Sequence, residues 1–152
     1  MKHLKKLFLV LAALAAFAVN ASAQQSSDQA TVTLTVAQWL NVEFNPGTIT
    51  INHSGEPGAS ASGSDTFHVS ANVNWKVTIT GNTLQDGTPA GSTWQTQLLD
   101  AGNNVVNEVT GGPGVFSPAG SVKVTVTSDA NTPMGPVNNF NAGTVTITIS
   151  AN

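Results

Sequence analysis

Apolar residues recur at every second position along most of this chain, the period of a half-buried strand rather than of a helix. In residues 31–36, Val32, Leu34 and Val36 share one face, while Thr31, Thr33 and Thr35 share the other. The same alternation returns at 40–44, 48–51, 67–71, 75–79, 122–126 and 145–149, with fainter patterns at 94–99 and 105–109. β-Branched residues suit a pleated surface. One wet face per strand means antiparallel sheets.

The punctuation falls between these runs. Asn45-Pro46-Gly47, Gly81-Asn82, Asp86-Gly87, Gly111-Gly112-Pro113-Gly114 and Pro133-Met134-Gly135-Pro136 are turn signals. The apolar odd-numbered set from Phe67 to Ile79 is too long for one strand, so a bend is expected at Asn72-Val73-Asn74. Residues 53–65, rich in Gly, Ser and Ala, read as a long flexible loop. No stretch of ten residues after Gln24 carries a helical stripe. Eight or nine short strands predict an all-β protein, an antiparallel β-sandwich of immunoglobulin-like type. Trp75, in phase with Val77 and Ile79, is expected in the core.

The first 23 residues break the pattern. Lys2, Lys5 and Lys6 precede an apolar run from Leu7 to Val19, which ends in the small residues Ala21-Ser22-Ala23. That is the layout of a secretory leader cut before Gln24, and the run is shorter than the roughly 20 residues of a membrane span. Residues 24–29 then form a polar tail and 30–152 a single sandwich domain. Export to the periplasm, cell surface or medium follows, with no membrane insertion once the leader is gone.

Charge narrows the partners. Beyond residue 23 only Lys76 and Lys123 remain against eight acids, a formal charge of −6. Nucleic-acid binding depends on Lys and Arg neutralising phosphates, so it is excluded. Cysteine is absent, which removes disulfides, thiolate metal sites and a thiol nucleophile, and stability must come from core and ladders. Lys76 and Lys123 are also the only cations available to blunt an exposed strand edge.

Chemistry is thinly represented. His53 falls beside the expected loop and His68 on the polar side of its strand, and no G-x-S-x-G elbow is present. The acids Asp28, Glu43, Glu56, Asp65, Asp86, Asp100, Glu108 and Asp129 are scattered, mostly in turns, where carboxylates cap backbone N–H groups. A hydrolase would require a pocket holding two close carboxylates or a His–Ser contact. Loop carboxylates also suit calcium, but no D-x-D-x-D-G spacing occurs. No catalytic residue, metal or cofactor is assigned. Trp39 is out of phase with Leu40, Val42 and Phe44, so its ring is expected outside, and Trp39 with Trp94 are the candidates for stacking on a glycan.

Residues 30–36 followed by Leu40-x-Val42-x-Phe44-x-x-Gly47-Thr48-Ile49 resemble the opening of small secreted bacterial proteins related to spore coat protein U and chaperone–usher pilin subunits. Phe67-His68-Val69-Ser70-Ala71-Asn72 with Trp75-x-Val77-x-Ile79 is similar to the central strand pair of that group, and 142–149 to its closing strand. The chain departs in lacking cysteines and in placing Asn45-Pro46 before the glycine. The resemblance implies a surface sandwich without catalytic residues, whose partners are copies of itself or related subunits. Residues 31–36 are the candidate assembly strand, able to add to a neighbour's open edge. The other expectation for them is the first strand of their own sandwich.

Overall fold

The computed structural model describes residues 29–84 and 89–152. The expected leader, the start of the polar tail and the Asp86-Gly87 turn lie outside the described residues. The chain divides after Val36: residues 29–36 belong to the first unit, and every strand belongs to the second.

The second unit is all-β, with no helix among the described residues. One antiparallel sheet has the order β1 (Leu40–Asn45), β2 (Ser60–Ala71), β7 (Gly114–Ser128), β4 (Ser92–Asp100) and β5 (Val105–Val106). The other has the order β6 (Val109–Gly111), β3 (Trp75–Asn82) and β8 (Val145–Ala151). The inward faces of the two sheets enclose a core of Phe67, Val69, Trp75, Val77, Leu98, Val122 and Val124, each at most 3% exposed. Burial of these side chains is the main stabilising term, about 1.5–3 kcal/mol apiece.

The expected bend turns the chain from one sheet to the other. The Asn72 side chain fixes it, accepting from Trp39 N at 2.7 Å and donating to the Ala37 carbonyl at 2.8 Å. An amide can do both at once, which a carboxylate cannot.

Four expectations need correction. Residues 31–36 form no strand and have no ladder partner among the described residues. Alternation specifies a strand only where a neighbouring ladder receives it. Residues 48–51 also form no strand, although Ile49 and Ile51 pack on the core. Their backbone instead lies against β2, where the Thr50 carbonyl comes so close to Gly63 that any side chain there would collide with it.

The third correction concerns the expected loop at 53–65, of which Ser60 onward is strand, paired with β7 from Ser60↔Thr127 to Asp65↔Val122. Its inward positions Ala61 and Gly63 are too small to register as an apolar stripe. The fourth concerns the fainter pattern at 105–109, which splits: β5 joins one sheet and β6 the other. The faint pattern at 94–99, by contrast, is a full strand, β4.

Candidate functional site

The margins of the sandwich differ from its middle. Across the β3–β8 ladder Val77 faces Ile149, and across the β1–β2 ladder Val42 faces Val69. Val77 and Val69 are fully buried, whereas Ile149 and Val42 are half-buried, as are Leu40, Phe44, Val145 and Ile147. Phe44 meets Phe67 edge-on at 6.5 Å. β1 and β8 are edge strands of opposite sheets and approach each other along one side. β8 pairs only with β3 among the described residues, so seven residues of ladder face outward.

Lysine does not guard these margins. Lys76 lies on β3 and Lys123 on β7, both interior strands. The edge strands β1, β5, β6 and β8 therefore carry no lysine or arginine. Both cations that were available to blunt an edge thus sit on interior ladders.

Residues 31–36 present the complementary feature. Val32 is 89% exposed, Leu34 84% and Val36 67%. Three large apolar side chains exposed along a segment with no ladder partner among the described residues are unusual.

A second feature is an open cleft of about 1130 Å³ at one end of the second unit. The connection after β1, the segment before β8 and the inward faces of β2, β4 and β7 line it. Trp94 contributes a half-buried ring, and its indole N–H donates to Ser92 Oγ at 3.2 Å. Asp65 lies at the buried side, 3% exposed. Its Oδ2 accepts from Gly47 N at 2.7 Å, while Oδ1 has no hydrogen-bond partner among the described residues. An unsatisfied buried polar atom costs about 1–3 kcal/mol, and nothing in the sequence singled out Asp65 from the other acids.

His53 clamps the cleft's rim. Its Nδ1 accepts from Gly55 N and its Nε2 donates to the Ala59 carbonyl, each at 2.9 Å, which is the neutral Nε2–H tautomer. The segment after β1 is thus held by specific bonds.

Trp39 and Trp94 do not come together. Trp39, 54% exposed, precedes β1 and lies outside the cleft that Trp94 lines. Trp75 is in the core as expected, its ring edge-on to Phe116 at 5.2 Å.

A His–Ser contact exists, and sequence spacing gave no hint of it. β7 bulges opposite His68, so that Ser117, Pro118 and Ala119 stand against one residue of β2. The bulge brings Ser117 Oγ to 3.0 Å from His68 Nδ1, and Glu43 is the cross-strand neighbour of His68 on β1. The three residue types match a nucleophile, base and orienting acid. Neither Ser117 nor His68 lines the cleft, however, and Glu43 bonds Asn41 Nδ2 at 2.9 Å. A nucleophile also needs donors aimed at a developing oxyanion.

Two other acids, Asp100 and Asp129, cap turns. Asp100 Oδ1 accepts from Gly102 N at 2.8 Å and Asn104 N at 2.9 Å. Hydrogen bonds from Asn104, side chain first and then backbone, hold this carboxyl below its ordinary range, helped by Gly102 and opposed by slight desolvation. Asp129 accepts from Asn131 N. No three His, Asp or Glu side chains converge among the described residues.

A scan against protein-family models matches nothing, and searches of curated proteins and of solved structures return no match.

Proposed function

We propose that this is an exported, non-enzymatic structural or adhesive subunit of a bacterial surface appendage or extracellular matrix, which assembles through strand edges. In this reading residues 31–36 of one copy add to the open β8 edge of the next. Val32, Leu34 and Val36 turn toward Ile147, Ile149 and the β1 side chains, and the three threonines face water. The observation that carries the reading is the pairing of two unfinished features: an exposed alternating segment without a ladder, and a strand edge whose inward residues are half-covered. Each of the three apolar side chains stabilises the joint by about 1.5–3 kcal/mol if fully buried. Main-chain bonds along the edge add register.

The leader pattern at 1–23 supports export, and the likeness to coat protein U and pilins supports an immunoglobulin-like surface subunit. The lysine-free edges support it too, since monomeric sheet proteins blunt such edges with charge. The position of Ser117 and His68 outside the cleft supports a non-enzymatic role. The test compares the chain starting at Gln24 with one starting at Ala37, by size-exclusion chromatography and electron microscopy. Oligomers or fibres are expected from the first alone. Identical monomers from both would remove the assembly reading.

A further inference from the structure

Independently of assembly, we propose that the outward face of β1, β2 and β7 binds a neutral oligosaccharide, with the Trp39 ring beneath one pyranose and Glu43 and His68 taking hydroxyls of another. Strand phase assembles this face. Leu40, Val42 and Phe44 pack on the core, so Trp39, Asn41 and Glu43 at the alternate positions point outward. On β2 the same holds for His68 and Ser70, which alternate with the buried Phe67, Val69 and Ala71. On β7 Val115 stands opposite Ser70, 77% exposed, while Phe116 turns inward to Trp75. Trp39 and Val115 thus flank the small Ser70 on an open surface.

The groups on this face define the ligand. Asn72 holds the main chain of Trp39 twice, its N–H donating to the Trp39 carbonyl at 3.1 Å and its Oδ1 accepting from Trp39 N at 2.7 Å. The indole has no aromatic partner among the described residues. A flat apolar ring is therefore displayed from a fixed backbone, so little freedom is lost on binding. Two outward positions further along the strand, about 14 Å away, Glu43 stands opposite His68. That span exceeds one sugar ring, so the ligand is an oligosaccharide. Glu43 Oε1 accepts from Asn41 Nδ2, which leaves Oε2 as an acceptor. Ser117 Oγ, 3.0 Å from His68 Nδ1, orients the imidazole, and Nε2 remains solvent-accessible. Nε2 donates in one tautomer and accepts in the other, and a hydroxyl matches either. A nucleic-acid base could also stack on Trp39, but its backbone would need cations alongside. The one lysine of this sheet, Lys123, faces Ser64, four residues along β2 from His68. Glu43 repels acidic glycans in the same way, which leaves neutral ones.

The experiment titrates the chain starting at Gln24 with hexasaccharides of cellulose, xylan, mannan and chitin, and with a single-stranded oligothymidylate, followed by tryptophan fluorescence and calorimetry. Saturable binding of at least one glycan is expected, with a change in emission. Trp39→Ala should weaken binding at least about tenfold and remove the emission change. Glu43→Ala should weaken it roughly threefold to tenfold. Both positions are exposed, so neither variant disturbs the core. Gln95→Ala, at an exposed position of β4, and Leu34→Asp should leave affinity unchanged. Absence of glycan binding up to millimolar concentration would overturn the proposal. So would binding undiminished by Trp39→Ala or Glu43→Ala, binding lost with Gln95→Ala or Leu34→Asp, or binding of the oligothymidylate in place of the glycans. Failure of the chain to assemble bears on the other reading alone.

Discussion

Val69 and Val77 are sealed in the middle of their sheets, while Val42 and Ile149, one strand further out on the same inward faces, stay half-covered. The residue types are alike and the alternation is alike. What differs is the neighbours: β2, β3 and β7 have a ladder on both sides, whereas β1 and β8 have one. Val32, Leu34 and Val36 have no ladder among the described residues, and Val32 and Leu34 are the two most exposed large apolar side chains described. Apolar alternation thus records a capacity for burial, and strand order decides whether the chain itself uses it.

That contrast is open to breakage by mutation. The largest effect is expected in the sealed region: Trp75→Ala or Phe67→Ala should cost about 3–5 kcal/mol in urea unfolding, from lost transfer energy plus the cavity left behind. Leu34→Ala, measured at concentrations where the chain is monomeric, should change stability by no more than about 0.5 kcal/mol. A comparable loss at Leu34 would mean that its own domain already buries it.

Between these limits lies the margin. Ile147→Ala and Ile149→Ala should each cost about 1–2 kcal/mol, less than the range for fully buried isoleucine because part of the side chain is already wet. Values as large as those at Phe67 would show the margin to be closed. Leu34→Asp should leave monomer stability unchanged yet abolish assembly, since a charge would enter the apolar joint.

Most of the fold was legible because most of it obeys period two. The bend at Asn72, the burial of Trp75 and the exposure of Trp39 all follow from phase alone. Three kinds of feature escaped. Ser60–Asp65 hid because its inward positions Ala61 and Gly63 are small, Gly63 lying against the Thr50 carbonyl, so a half-buried strand looked like a loop. Residues 48–51 looked like a strand because periodicity reports burial and cannot report which ladder, if any, accepts the backbone. The third kind is long-range pairing: Ser117 with His68, and Asp65 with Gly47, depend on a bulge and on a chain reversal that no local pattern encodes. The edge strands could not be known until strand order placed both lysines inside.

The smallest expected effect is electrostatic and confined to the β4–β5 turn. The Asp100 carboxylate is favoured in the folded turn, so its folded pKa lies below the ordinary value of about 3.9. A lowered folded value means that its contribution is complete above the unfolded pKa and is lost as pH falls through the folded one. Amide exchange at Gly102 and Asn104, corrected for intrinsic rate, should therefore accelerate only at pH below about 3.9, and Asp100→Asn should remove that step. The turn lies at the surface, so global unfolding should barely register it.

The most direct measurement is amide hydrogen exchange along β8, compared between the chain starting at Gln24 under assembling conditions and the chain starting at Ala37. Pairing of residues 31–36 with the next copy predicts strong new protection in β8 and in 31–36 together, with β5 unchanged. Equal exchange in β8 of both chains, or protection that appears in β5 instead, would contradict it.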